Sequence, residues 1–133
     1  MRAGNRLVLA AATTLVWVVP LAAHHAVTAE FDPSKTITFK GVVSKVEWVN
    51  PHIFVYVDVK DEAGTTTTWM LQSAPPLFFK GSGLTKNTLL GNNEEVTVSA
   101  FPAKDGTRAY GFLLKLTYPD GHFFSMTPQQ QDK

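Results

Sequence analysis

Residues Lys35–Asn50 read "KTITFKGVVSKVEWVN". Apolar and polar residues alternate along this stretch, and Ile37, Val42, Val43 and Val46 are β-branched, so it is expected to be an extended strand rather than a helix. The alternation changes hand part-way. Ile37, Phe39 and Gly41 share one parity, whereas Val42, Val46 and Trp48 share the other. A side-chain period of two cannot change parity without an extra residue. A bulge or strong bend is therefore expected around Gly41–Val43, where glycine permits it. A long first strand, bent in its middle, can serve two sheets at once, as the first strand of a small closed barrel must.

Working outward towards the C-terminus, Asn50-Pro51 makes a turn. "HIFVYVDVK" (His52–Lys60) then alternates cleanly, with Ile53, Val55, Val57 and Val59 on one side and His52, Phe54, Tyr56 and Asp58 on the other. Asp61–Gly64 forms a hairpin connection into "TTTTWMLQS" (Thr65–Ser73). Pro75-Pro76 and "LFFKGSG" predict a short helical turn, and Thr85 can cap a second one that ends at Gly91. Two more strands, "EEVTVSAF" and "RAYGFLLKLTYP", precede a short last piece, "HFFSM". Three strands, a helical insertion, two strands and a short addition match the order of the five-stranded Greek-key barrel called the OB-fold. The expected fold is thus an all-β, OB-fold-like barrel of five to six strands with a short helical insertion between strands 3 and 4. The alternative is an immunoglobulin-like β-sandwich, which needs about seven strands.

Towards the N-terminus, Met1–Arg6 carries two arginines and no acid, and Leu7–Val19 is uncharged and apolar throughout. Pro20 and the small residues Ala22 and Ala23 follow. This is the three-part pattern of a secretory signal, with cleavage expected after Ala23. The apolar run of 13 residues is well short of the ~20 needed to span a bilayer. The expected organisation is a signal peptide over 1–23, an irregular arm over 24–34, the barrel over 35–126 and a polar tail over 127–133. The location expected is periplasmic or secreted, with no membrane segment left after cleavage.

Cleavage removes Arg2 and Arg6 and leaves ten Lys/Arg against eleven Asp/Glu, a formal charge of −1. A near-neutral domain lacks the basic footprint of a nucleic-acid binder. The absence of cysteine leaves packing alone to hold the fold and removes thiol catalysis and thiolate ligands. No Gly-x-Ser-x-Gly, phosphate loop or dinucleotide fingerprint occurs, so no catalytic motif points to an enzyme.

The four histidines are the informative set. Cleavage after Ala23 would give His24 a free amine beside its own imidazole Nδ1, a bidentate chelate. One further imidazole would complete three nitrogens around Cu(II), an ion that favours tetragonal nitrogen sites. His25 is an alternative donor, but adjacent side chains on an extended arm point opposite ways. His52 is the preferred third ligand, because Pro51 stiffens the turn before it and OB barrels bind ligands on that loop. Asn50 or Asp32 could orient an imidazole from the second layer, and His122 ranks after His52. Set against this, paired histidines on an arm are often merely solvated, and His52 could simply bond a backbone carbonyl. Trp48, Phe54 and Tyr56 form a candidate ligand surface, since aromatic faces on such barrels stack bases or sugars. The plainer role for them is packing beneath loops and the arm.

The pieces "AAHHAVTAEFD", "GVVSKVEWVNPHIFVYVDVKDEAG" and, more loosely, "AFPAKDGTRAYGFLLKLTYPDG" resemble an uncharacterised family of small secreted proteins of Gram-negative bacteria. The resemblance implies a periplasmic location and a small β-barrel, and supplies no activity. It places His24, His25, Asp32, Asn50 and His52 in the family's recurring motifs. The chain departs from the pattern at Leu84, where relatives often carry tryptophan, and at Asn92-Asn93, where Gly-Asp is usual. The functional expectation is a periplasmic binding protein holding Cu(II) through His24, His25 and His52. Its rival is a metal-free binding or envelope-stress module.

Overall fold

The structure is a computed structural model that describes residues 27–106 and 108–126. The expected signal peptide, His24, His25 and the polar tail lie outside the described residues.

Six strands form: β1 (Ile37–Glu47), β2 (Phe54–Lys60), β3 (Thr66–Gln72), β4 (Glu95–Pro102), β5 (Tyr110–Thr117) and β6 (Phe123–Ser125). Neighbours run in the order β3-β2-β1-β4-β5-β6, and a further β3–β5 pairing closes the first five into a barrel. That closing pair is parallel, Met70–Gln72 against Tyr110–Phe112. The other pairings are antiparallel. Closure removes the free edges a sandwich would keep, and the all-β barrel expectation holds.

β1 divides its pairing as the bent-strand argument requires. Ile37–Val42 pairs with β4, and Val42–Glu47 pairs with β2. The register shift lies between Val43 and Lys45, slightly later than the sequence suggests. Ser44 is the extra residue, so Val43 faces the core and Val42 remains half-buried outside. Gly41 has a different task. A Cβ there would lie 2.6 Å from the Asp58 carbonyl oxygen and 2.7 Å from Val57 Cγ1. Glycine is required by the close approach of β1 to β2, not by the bulge.

The barrel interior is lined by Val43, Val46, Ile53, Val55, Val57 and Leu71, with Val96, Val98, Leu113 and Leu116 opposite. Burial of each such side chain contributes about 1.5–3 kcal/mol. The insertion between β3 and β4 closes one end. Its 3₁₀ turn, Pro76–Phe79, buries Phe79, and its helix α1 (Lys86–Leu90) buries Leu89. Thr85 and Thr88 cap α1 reciprocally, satisfying backbone donors that the first turn leaves open. The Tyr118 hydroxyl donates to the Leu89 carbonyl at 2.8 Å and tethers the helix to the end of β5.

The arm differs from the irregular segment expected. Residues 27–30 form a helical turn, and Phe31 bridges to Ala103. Asp32 N–H donates to the Pro102 carbonyl at 2.9 Å, and Lys104 N–H donates to the Glu30 carbonyl at 3.0 Å. The cause is Phe31, which is 0% exposed. Its burial fixes a backbone that local propensity would leave loose.

Candidate functional site

The outer face of β2, β3 and β5 carries a second apolar cluster, separate from the barrel interior. Phe31, Ala103 and Tyr110 are buried in it, with Val27, Phe54, Met70, Phe101 and Phe112 packed around them. The pairings Phe54↔Gln72↔Phe112 and Tyr56↔Met70↔Tyr110 set these side chains in two rows across three strands. The arm lies on those rows, with the Phe31 ring 5.0 Å from Tyr110 and 5.7 Å from Phe112.

A polar link runs beneath it. The Tyr110 hydroxyl donates to Gln72 Oε1 at 2.8 Å. Burial, reinforced by the charge and hydrogen bonding of Glu30, pushes the Tyr110 hydroxyl up to about 12. Glu30 belongs to the arm and Gln72 to β3, so one phenol joins them.

His52 is half-buried and precedes β2, after a cis Asn50–Pro51 bond. Alternation places its side chain on the same face as Phe54 and Tyr56. Backbone bonds hold this strand start to β3: Ile53 N–H donates to the Ala74 carbonyl at 3.2 Å, and Ser73 N–H donates to the Ile53 carbonyl at 2.8 Å. Among the described residues the His52 ring makes no side-chain hydrogen bond. Ser73 is fully buried with an unpartnered Oγ, but its parity with Leu71 turns it into the barrel, away from His52.

The other expected residues are distributed as follows. Asp32 accepts from the Ser34 N–H at 3.0 Å and the Ser34 hydroxyl at 2.6 Å, and pairs with Lys35 at 3.3 Å. Those partners, Ser34 first, hold its carboxyl below the usual range. The carboxylate serves its own turn, and no imidazole partners it among the described residues. Asn50 is exposed and makes no hydrogen bond to His52. Trp48 belongs to the barrel's capped end, packed on the main core 6.3 Å from Phe79. Phe54 lies in the cluster with Phe31. Tyr56 donates to Glu47 Oε2 at 3.1 Å, with Lys45 above its ring. The three aromatics therefore do not form one surface.

His122 stands apart. Its Nδ1 contacts Asp120 Oδ1, and its ring stacks on Tyr118 at 4.3 Å and 6°. The two form part of a cleft of about 350 Å³ with Asn87, Asn92 and Glu94. "PDGH" puts Asp and His two apart across a turn, which was readable. The stacking on Tyr118 was not. This cleft lies past the end of β5 remote from Tyr110, about 25 Å along the strand at ~3.3 Å per residue.

Among the described residues no group of three or more His, Asp or Glu is placed to hold a metal ion. His24 and His25 lie outside them. No curated protein and no solved structure matches the chain. The model of a family of unknown function, DUF6152, matches residues 12–112, a span that takes in His24, His25, His52 and the barrel through β4. The chain belongs to that family.

Proposed function

We propose that the protein is a small periplasmic binding protein that, after signal cleavage at Ala23, holds Cu(II) through the amine and imidazole of His24 together with His52, with His25 assisting. The observation that carries the reading is the seating of the arm. Val27 and Phe31 pack into the cluster that contains Phe54, the first residue of β2, and His52 lies two residues before it, on the same side by alternation. Two residues lie between His24 and Val27, so three residue steps give a reach of up to about 10 Å. The two-residue step from Phe54 to His52 covers about 7 Å. The packing of Val27 against the cluster that contains Phe54 and these two short spans support a site shared with His52, whose ring makes no side-chain hydrogen bond among the described residues.

Binding requires the amine and the imidazoles to give up protons, so affinity falls steeply between about pH 7 and about pH 5. The test is calorimetric titration of Cu(II) into the exported protein, whose first residue is read by mass spectrometry. His24→Ala keeps a free amine but removes the imidazole of the chelate, and should lose at least about tenfold in affinity. Equal affinity in that variant would remove the His24 ring from the site. No uptake by a chain that begins at His24 would leave the metal-free binding barrel as the reading.

A further inference from the structure

The capped end of the barrel leaves large apolar side chains in solvent. Leu77 is 75% exposed, Phe78 46%, Phe123 47% and Val49 48%. The 3₁₀ turn that presents Leu77 and Phe78 is not loose. Its Phe79 and the following Leu84 are buried in the core, so two side chains anchor the segment while their neighbours are held outward. Phe78 and Phe123 line one hollow, and Leu77 and Trp48 line the next. The two hollows share Phe79 and Leu84 as a common wall. These residues make one apolar ridge, and an exposed ridge of this kind marks a surface that meets something.

Charge indicates what it meets. Lys80 borders the hollow beside Leu77, Lys86 borders the one beside Val49, and the Lys115 ammonium sits 4.0 Å above the Phe123 ring. Residues 73–93 contain Lys80 and Lys86 and no acid. Glu47 lies at this rim, paired with Lys45 and also within the field of Lys86, so the two lysines outweigh it. Glu94 and Asp120 belong to the adjoining Tyr118 cleft. A chain of formal charge −1 after residue 23 thus concentrates lysine around its exposed apolar side chains. A second copy docking ridge to ridge would oppose like charges. An anionic bilayer surface has the complementary layout, with phosphates to meet lysines and an acyl boundary to take leucine and phenylalanine.

We infer that this end of the barrel docks on anionic phospholipid surfaces, with Leu77 and Phe78 inserted and Lys80, Lys86 and Lys115 on the phosphates. Peripheral docking requires no spanning segment, and no described helix is long and apolar enough to cross a membrane. The inference is independent of the copper reading.

The test is co-sedimentation of the exported protein with vesicles of phosphatidylglycerol and phosphatidylcholine, against vesicles of phosphatidylcholine alone. Binding should favour the anionic vesicles by about tenfold and weaken several-fold as salt rises from about 0.05 M to about 0.5 M. Leu77→Ser with Phe78→Ser should abolish it while leaving the far-ultraviolet circular dichroism unchanged, because both side chains are exposed. Lys80→Gln with Lys115→Gln should remove the preference for anionic lipid. No binding to anionic vesicles, or equal binding by the Leu77/Phe78 variant, would overturn the inference. So would a concentration-dependent dimer in sedimentation analysis that the same variant dissolves.

Discussion

The rings of Phe31 and Tyr110 lie 5.0 Å apart at 54°, joining a residue of the N-terminal arm to the first residue of β5. Phe31 is completely buried. Both of its ring partners, Tyr110 and Phe112, lie on β5, and the cluster it joins draws in side chains from β2, β3 and β4, so it acts as a peg that fixes where the arm leaves the barrel.

Phe31→Ala should therefore cost about 3–5 kcal/mol of stability, the range for truncating a buried aromatic, measured by urea denaturation. It should also weaken Cu(II) uptake, because the arm loses its seat. A loss below about 1 kcal/mol would mean that the arm is not held by this ring.

Gly41→Ala tests the β1–β2 approach. The added methyl meets the Asp58 carbonyl oxygen, which belongs to backbone and cannot swing aside, at 2.6 Å. Destabilisation of about 1–3 kcal/mol is expected from overpacking. Gly64→Ala makes a useful contrast, since its Cβ would meet nothing within 4 Å and its cost comes from φ +84° alone. A neutral Gly41→Ala would show that the strands can separate without penalty.

Alkaline stability depends on Tyr110 and Tyr118. Burial pushes both hydroxyls up to about 12, with Glu30 adding to the first and Glu94 to the second. An unfolded tyrosine titrates near 10. Below pH ~10 both states keep the proton and the full contribution is present. Between about pH 10 and 12 the unfolded chain loses its proton first, so stability falls as pH rises. Urea midpoints should drop from about pH 9 to about pH 11, and drop less in a Tyr110→Phe, Tyr118→Phe variant. An equal drop in that variant would assign the alkaline loss to other groups.

Much of the barrel was legible because its signals are local. Ile53, Val55 and Val57 alternate with half-exposed residues, and all three are fully buried. Thr85 and Gly91 bracket α1 as a cap pair should. The bulge was misplaced because Val42 and Val43 are chemically equal, and only pairing with Val57 and Tyr56 decides which faces inward. The arm was illegible for a related reason. "AVTAEF" has no helical or strand period, and its conformation follows from Phe31 meeting Phe112 and Tyr110 some eighty residues later. Asp32, expected to orient an imidazole, bonds Ser34 and Lys35 among the described residues, a turn whose partners lie within three residues of it. Trp48 and Phe54 pack on different clusters, Trp48 on the main core near Phe79 and Phe54 with Phe31, a separation set by long-range packing that no local period records.

The most direct measurement is the electron paramagnetic resonance spectrum of Cu(II) bound to the exported protein and to its His52→Ala variant. With His24 supplying an amine and a ring and His52 supplying a second ring, the variant should lose one nitrogen coupling and bind copper more weakly. Identical spectra and affinities would contradict a site shared between the arm and the barrel.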